Sequence, residues 1–118
     1  MTVFLKARID MQEDVRLIEA IIGEMGPLFH KGVFAGRSTF RFTLEGTSIT
    51  VSIDADGYEV ERDSALATVD CSCKTTSEMF RKIWYDGYRP GIMDFLAGEV
   101  RCDAPLMLPQ FLRAFGKI

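Results

Sequence analysis

Cysteine and histidine are the residues of this chain whose chemistry first needs an explanation. Cys71 and Cys73 stand two positions apart in an alternating segment, so a strand would place both thiols on one face. With Cys102 and His30 they include the residue types of a zinc site, but structural zinc sites normally use a Cys-x-x-Cys turn that lets both sulfur atoms reach one ion. We therefore expect no metal, and we interpret the three cysteines as buried free thiols that pack as small apolar side chains.

The single histidine could also take part in covalent catalysis. His30 beside Cys71 or Cys102 would supply a base and a nucleophile. It lies at the predicted end of the first helix, however, where a cation suits the helix dipole, so a structural role is favoured. No other acid–base pair or nucleophile stands out, and we expect neither catalytic residues nor a cofactor.

Acidic residues form two groups, and the second group lies around turns whose oxygen atoms could bind calcium. The ordered twelve-residue ligand loop of a calcium site is absent from it. We interpret the first group as the solvated face of a helix and the second as a charged edge strand that resists aggregation. The members of the two groups are Asp10, Glu13, Asp14, Glu19 and Glu24, and Asp54, Asp56, Glu59, Glu61 and Asp63.

Large, adaptable apolar side chains are concentrated in residues 79–115. Their number predicts an internal apolar pocket, for which unbranched methionine is a suitable wall because it reshapes easily. The alternative is that these side chains fill one another's gaps. The candidate pocket walls are Phe40, Phe42, Val51, Phe80, Ile83, Trp84, Met93, Leu96, Met107, Leu108, Phe111, Leu112 and Phe115.

Composition limits the classes of protein to consider. The 118 residues predict one domain spanning residues 1–118, and the balance of 47% apolar and 26% charged residues is that of a globular protein. The net charge is −3 with scattered Lys and Arg, so we expect no nucleic-acid partner. No apolar run is long enough to span a membrane, and no basic leader opens the chain. The odd number of cysteines then indicates a reducing, cytoplasmic location.

An amphipathic helix is predicted near the start of the chain. Residues 2–9 are interpreted as a short strand or an extended lead-in, and Asp10 as the helix N-cap. Gly26 and Pro27 should end or kink the helix. Its apolar stripe, at spacings of four and three, is Met11, Val15, Ile18, Ile22 and Met25, and it is widened by Leu17, Ile21 and Leu28.

A loop with two apolar residues follows. Val33 and Phe34 lie between Gly32 and Gly36. Two interpretations remain open: the loop is a lid or membrane-touching tip, or it tucks into the core.

The period then changes to two, which predicts strands. Residues 40–44 and 49–53 alternate around a turn at Gly46, as in an antiparallel hairpin with one dry face. A turn at 56–57 leads to a third strand at 58–61. A fourth strand has the inward row Ala67, Val69, Cys71 and Cys73.

Two short helices follow the fourth strand. Thr75 or Thr76 can cap the first helix, which Gly87 ends. Pro90 suits the first turn of the second helix, which Gly98 ends.

A fifth strand at 99–102 and a last helix capped by Asp103 complete the elements. Because a helical crossover precedes this strand, it could join the sheet in parallel with one neighbour. The predicted fold class is α+β: one five-stranded, mostly antiparallel sheet with helices covering one face.

This arrangement resembles the sterol-carrier-protein family, also called nonspecific lipid-transfer proteins, over roughly residues 10–118. The likeness includes the hairpin segment 40–46, and the strand 67–73 followed by the helix 75–84. The most family-like segment is Gly87 followed by Phe95-Leu96-Ala97-Gly98-Glu99-Val100-Arg101, with a glycine spacing of 98 − 87 = 11. The chain departs from the family pattern at Pro90, Glu99, Ala104 and Pro105, near the expected pocket mouth.

The resemblance implies an apolar tunnel between the sheet and the helices that holds an acyl chain, a sterol or an isoprenoid. It implies no catalytic residues, and it leaves room for transient membrane contact. The alternative is an interaction or accessory module that uses the same apolar groove to form a homodimer or to dock on a partner enzyme. An enclosed cavity would favour the lipid binder, whereas a filled interior and an exposed apolar patch would favour docking.

Overall fold

The computed structural model describes residues 2–65 and 68–118, with side chains from residue 13 onward. A long helix precedes three strands, a fourth strand, two helices, a fifth strand and a final helix. The elements are α1 (Thr2–Leu28), β1 (Ser38–Thr43), β2 (Ser48–Ile53), β3 (Tyr58–Arg62), β4 (Cys71–Thr75), α2 (Ser77–Tyr85), α3 (Ile92–Leu96), β5 (Val100–Cys102), a 3-10 helix (Pro105–Met107) and α4 (Leu108–Ala114).

Helix α1 is longer than the sequence pattern predicted. The extended lead-in at 2–9 and the cap at Asp10 are wrong, since the helix runs without interruption from Thr2 to Leu28. The segment 5–8, Leu-Lys-Ala-Arg, consists of strong helix formers, and their propensity outweighs the short apolar run that resembled a strand. The buried stripe is Leu17, Ile18, Ile21 and Met25. Val15 was predicted in the stripe but is 45% exposed.

The sheet has the strand order β3-β2-β1-β4-β5. The hairpin β1–β2 and the third strand are confirmed. The parallel pair is β1–β4, whereas β5 runs antiparallel to β4, so the predicted parallel pairing of the fifth strand is wrong. The start of β4 is held beside β1 because the N–H of Thr39 donates to Asp70 Oδ2 (2.8 Å) and the N–H of Asp70 donates to the carbonyl of Thr39 (2.9 Å).

The fourth strand is shorter than predicted. It begins at Cys71, so Val69 lies outside it, and Ala67 lies outside the described residues. The α+β class with a mostly antiparallel sheet is confirmed.

The two faces of the sheet differ in chemistry. On the inner face Phe40 stands opposite Val51 on one side and Cys71 on the other. On the outer face the side chains are mainly polar, and Arg41 Nε donates to Thr50 Oγ1 at 3.3 Å. The helices cover the inner face, as the alternation of residue types requires.

A disulfide joins the last two strands. Cys73 and Cys102 are directly opposite in the antiparallel β4–β5 pair, with Cα atoms 4.2 Å apart, and their sulfur atoms are bonded. The interpretation of these two residues as free thiols is therefore wrong, because it could not anticipate which strand would lie beside β4. Cys71 is free and buried, as predicted. The cytoplasmic location, inferred partly from free thiols, stays a prediction.

Two loops also settle open questions. Phe34 is 3% exposed and the carbonyl of Val33 accepts from Gln110 Nε2 (3.3 Å), so the 32–36 loop tucks into the core.

Asp103 does not cap the last helix, because its Oδ1 accepts from the N–H of Ser72 (2.7 Å) across the sheet edge.

Candidate functional site

Aromatic rings occupy the space between the sheet and the helices. Phe42 of β1 lies with its ring centroid 4.7 Å from that of Phe111 in α4 and 5.3 Å from that of Phe80 in α2. Phe111 is also 5.2 Å from Phe40 and from Phe115. These separations are those of packed aromatic pairs. This cluster lies where the sequence predicted a pocket, and it fills the centre of the core.

Seven of the predicted wall residues are at most 3% exposed in this packed region. Ring contacts and β-sheet pairing bring them together, but the structure does not test a role for them in ligand binding, which stays a prediction. They are Phe40, Phe42, Val51, Phe80, Trp84, Phe111 and Phe115.

An apolar cavity of about 240 Å³ lies among the helices that cover the inner face of the sheet. We call it the apolar groove. It is smaller than the usual small-molecule pocket of about 300–1,000 Å³, so it suits one segment of a larger ligand. Three predicted wall residues, Ile83, Leu108 and Leu112, line it. The complete lining is Ile83, Arg89, Pro90, Phe95, Pro105, Leu106, Leu108, Pro109, Leu112 and Ile118.

Short elements with fixed backbone angles shape the apolar groove. Gly87 and Gly98 bracket α3 with φ of 68° and 77°, a left-handed conformation that favours glycine and lets the chain turn sharply on both sides of the helix. On the opposite side, Pro105 and Pro109 restrict φ in the 3-10 helix and at the start of α4. Since the disulfide at Cys102 lies just before this wall, the wall is tied to Cys73 of strand β4.

Four large aliphatic side chains project into solvent beside the groove. We call Ile92, Met93, Leu96 and Leu106 the apolar ridge; they are 77%, 75%, 75% and 92% exposed. Met93 and Leu96 were predicted in the pocket wall, but α3 has five residues and turns only Phe95 toward the core, so the rest of its apolar surface faces outward. Met107, another predicted wall residue, is half-buried against the core.

Polar contacts hold the segment that carries α3. The N–H of Gly91 donates to Asp94 Oδ2 at 2.8 Å, and the Tyr88 hydroxyl donates to the same oxygen. The hydroxyl of Tyr88, followed by that N–H, lowers the pKa of Asp94, and the bond to Asp94 raises the pKa of Tyr88. Lys82 Nζ lies 5.9 Å from the Tyr88 ring centroid, a cation–π distance. The carboxylate of Asp94 is thus hydrogen-bonded to residues of its own segment.

Trp84 is buried beside the groove wall residue Ile83. Its Nε1 is buried and has no hydrogen-bond partner among the described residues. Lys117 Nζ lies 4.7 Å from its ring centroid. A buried donor without a partner costs stability. Because Trp84 is the single tryptophan of the sequence, its emission reports changes in the surrounding packing.

A second, polar cavity of about 920 Å³ was not anticipated from the sequence. Its charges have both signs, including Lys74, Arg81 and Glu99. Asp14, predicted on the solvated helix face, is 5% exposed here. The N–H of Gly46 donates to its Oδ2 (3.1 Å) and the hydroxyl of Ser77 donates to its Oδ1, so Asp14 links α1 to the β1–β2 turn and to the start of α2. The role we assign to it is structural.

The free cysteine is poorly suited to nucleophilic chemistry. Burial, followed by the charge of Asp103, raises the pKa of Cys71 to about 11, so the thiol is protonated at neutral pH. Its Sγ donates to the carbonyl of Ala104 at 3.3 Å. His30 is exposed. Its backbone N–H donates to the carbonyl of Ala114 (2.7 Å), and this contact connects the end of α1 to α4.

Comparison with known proteins gives likenesses of fold. No family model and no curated protein matches this chain. The stereoselective inverting sec-alkylsulfatase Pisa1 from Pseudomonas sp. has a TM-score of 0.66 at 14% identity, over 77% of this chain and 15% of that chain. This chain therefore spans about 15% of the sulfatase, and the likeness shows the fold alone.

Sterol carrier proteins are also among the solved structures found. Sterol carrier protein 2 from Yarrowia lipolytica, in its apo form, has a TM-score of 0.48 at 14% identity, over 67% of this chain and 70% of that chain. Sterol carrier protein 2 like 2 from Aedes aegypti has a TM-score of 0.47 at 17% identity, over 87% and 94%. At these TM-scores and identities, no property of the two carriers is carried over to this chain.

Proposed function

We propose that this domain is a noncatalytic binding domain for one hydrophobic molecule, an acyl chain, a sterol or an isoprenoid, held among the C-terminal helices at the apolar groove. The observation that carries the proposal is the apolar groove, whose ten lining residues include one charged side chain, Arg89. Ile83 and Leu112, which are 6% and 7% exposed, belong both to the groove lining and to the core. The groove is therefore the entrance, and its floor leads toward the aromatic cluster.

The size of the groove sets the energy available. Its volume of about 240 Å³ accommodates about eight methylene-sized groups, if each takes about 30 Å³ as a water molecule does. At about 0.8 kcal/mol per buried methylene, such a segment gains about 6 kcal/mol before the entropy of binding is subtracted.

The test is extraction of the freshly purified protein with organic solvent, followed by mass spectrometry, and then titration of the stripped protein with acyl and isoprenoid lipids. We expect a co-purified lipid and a saturable change in Trp84 emission with a stoichiometry near one. Leu108→Glu places a charge in the groove wall and should weaken binding at least about tenfold, since even partial burial of a charge is costly. Val15→Glu, on the exposed side of α1, is the matched control.

An empty protein whose Trp84 emission ignores every lipid offered would contradict the binding function. Equal weakening by Leu108→Glu and Val15→Glu would show that the groove is not the site.

The second candidate function is an interaction module that forms a homodimer or docks on a partner enzyme. The filled aromatic core and the exposed apolar ridge favour it, because a large exposed apolar patch commonly marks an interface. Light scattering after size-exclusion chromatography discriminates the two: a dimer that Leu96→Glu dissociates, in protein free of lipid, would support the module.

A further inference from the structure

The apolar ridge differs from the rest of the described surface. Ile92, Met93, Leu96 and Leu106 are 75–92% exposed, whereas the other large hydrophobic side chains that are exposed, such as Val15 at 45%, lose half or more of their surface to neighbours. Four such side chains around one groove exceed the scattered apolar residues that an ordinary surface carries. Such a cluster is typical of an interaction surface.

The composition of the ridge points to the chemistry of its binding partner. Its four members are aliphatic and protrude, whereas protein interfaces concentrate their binding energy in Trp, Tyr and Arg that fill complementary pockets. Protruding leucine, isoleucine and methionine enter the acyl region of a bilayer without needing a matching cavity.

The border of the ridge has the polar groups that suit a lipid headgroup layer. Arg89 lines the groove, and Lys82 lies against the ring of Tyr88, which is 39% exposed. Tyr is favoured at the depth of the headgroups, and cations attract phosphates. The border also has acidic groups, since Glu78, Asp94 and Glu99 line the same surface cavity as Lys82. Of these carboxylates, that of Asp94 accepts hydrogen bonds from Gly91 and Tyr88.

We propose that the apolar ridge docks on the surface of a phospholipid bilayer, with Ile92, Met93, Leu96 and Leu106 inserted at the boundary between headgroups and acyl chains. The contact is superficial, since no helix in residues 2–65 and 68–118 is long and apolar enough to cross a membrane. It places the mouth of the apolar groove against lipid. The 32–36 loop, the sequence candidate for membrane contact, is excluded because Phe34 is buried.

Vesicle binding tests this proposal with the full chain. Sucrose-loaded vesicles of phosphatidylcholine, with and without a minor fraction of phosphatidylglycerol, are sedimented with the protein. The double variant Met93→Glu and Leu96→Glu should lower the bound fraction at least about tenfold, because two apolar insertions become charges. Val15→Glu, a charge on another apolar surface position, should change it less than about twofold if the bilayer contacts α3 and not α1. Circular dichroism checks that both variants keep the wild-type melting temperature.

Insertion itself is measured with a second pair of variants. Leu96→Trp and Val15→Trp each add one indole to the wild-type Trp84, and phospholipids brominated along the acyl chain quench indoles that reach them. We expect additional quenching for Leu96→Trp and none for Val15→Trp.

Three outcomes would overturn the proposal: unchanged sedimentation of the double variant, equal quenching of the two Trp variants, or a ridge-dependent dimer in solution that does not bind vesicles. Docking is measured as sedimented protein and as quenching at position 96, and neither readout depends on what the groove holds. Its failure therefore leaves the binding function intact, and the failure of the lipid titration leaves docking intact.

Discussion

Removal of the Cys73–Cys102 disulfide should destabilise the domain by an amount that the structure fixes. The bond closes a loop with a sequence separation of 29 residues. By the loop-entropy relation, such a cross-link lowers the entropy of the unfolded chain by about 12 cal/mol/K, which stabilises the folded state by about 3.6 kcal/mol at 25 °C. A chain of 118 residues has an unfolding entropy of about 250 cal/mol/K, so the melting temperature should fall by about 14 °C.

The assay is thermal unfolding followed by circular dichroism, with and without a phosphine reductant. Reductant should lower the melting temperature of the wild type and leave that of Cys102→Ala unchanged. Cys71→Ala is the matched control: it removes the buried free thiol, so its melting temperature should still respond to reductant. Alkylation in denaturant, read by mass, should count one free thiol before reduction and three after it.

Two results would refute the reasoning. One is three alkylated thiols in protein that was never exposed to reductant. The other is a disulfide that is present but whose reduction moves the melting temperature by less than a few degrees, because β4 and β5 would then be held together by their pairing alone.

Three further outcomes follow from individual contacts. Phe111→Ala should destabilise the fold by about 3–5 kcal/mol in urea unfolding, whereas Leu96→Ala, at an exposed position, should change it by less than about 0.5 kcal/mol; equal effects would contradict the assignment of core and ridge. Asp14→Ala should cost about 1–3 kcal/mol by the same measurement, because it leaves the N–H of Gly46 without its acceptor; no loss would mean that water replaces Asp14. Tyr88→Phe should raise the pKa of Asp94 toward its ordinary value in an NMR titration. Folding lowers the pKa of Asp94, so the stabilisation from its carboxylate is present above its ordinary pKa and is lost in acid as pH falls through the folded-state value. An unchanged pKa of Asp94 in Tyr88→Phe would show that the hydroxyl contributes nothing to this shift.

Local patterns in the sequence predicted what local interactions determine. The hairpin β1–β2 follows from alternation around Gly46, and the cap of α2 from Thr76, whose Oγ1 accepts from the N–H of Met79 (3.1 Å). Both involve residues close in the chain. The α+β class then follows from the order of such elements.

Long-range partners could not be predicted in the same way. Asp14 looked solvated because its two donors, Gly46 and Ser77, lie 32 and 63 positions away. The disulfide depends on β5 lying antiparallel to β4, which no local pattern specifies.

The positions of two predicted pocket residues also depend on long-range packing that no local pattern specifies. An apolar helix normally predicts burial, but α3 is too short to bury more than one side of itself, so Met93 and Leu96 are on the surface. The pattern identified which residues are apolar and not which of them would lack a partner.

The aromatic cluster has a consequence for synthesis of the chain on the ribosome. Phe42 and its partner Phe111 are 111 − 42 = 69 positions apart. At about 5–20 residues per second, Phe42 waits several seconds before Phe111 has been synthesised. During that interval the three strands β1, β2 and β3 can pair, but their inner face lacks the cover of α4. The nascent chain should therefore be a substrate for chaperones that bind apolar strands, and ribosome-stalled chains that end before residue 108 should remain sensitive to protease.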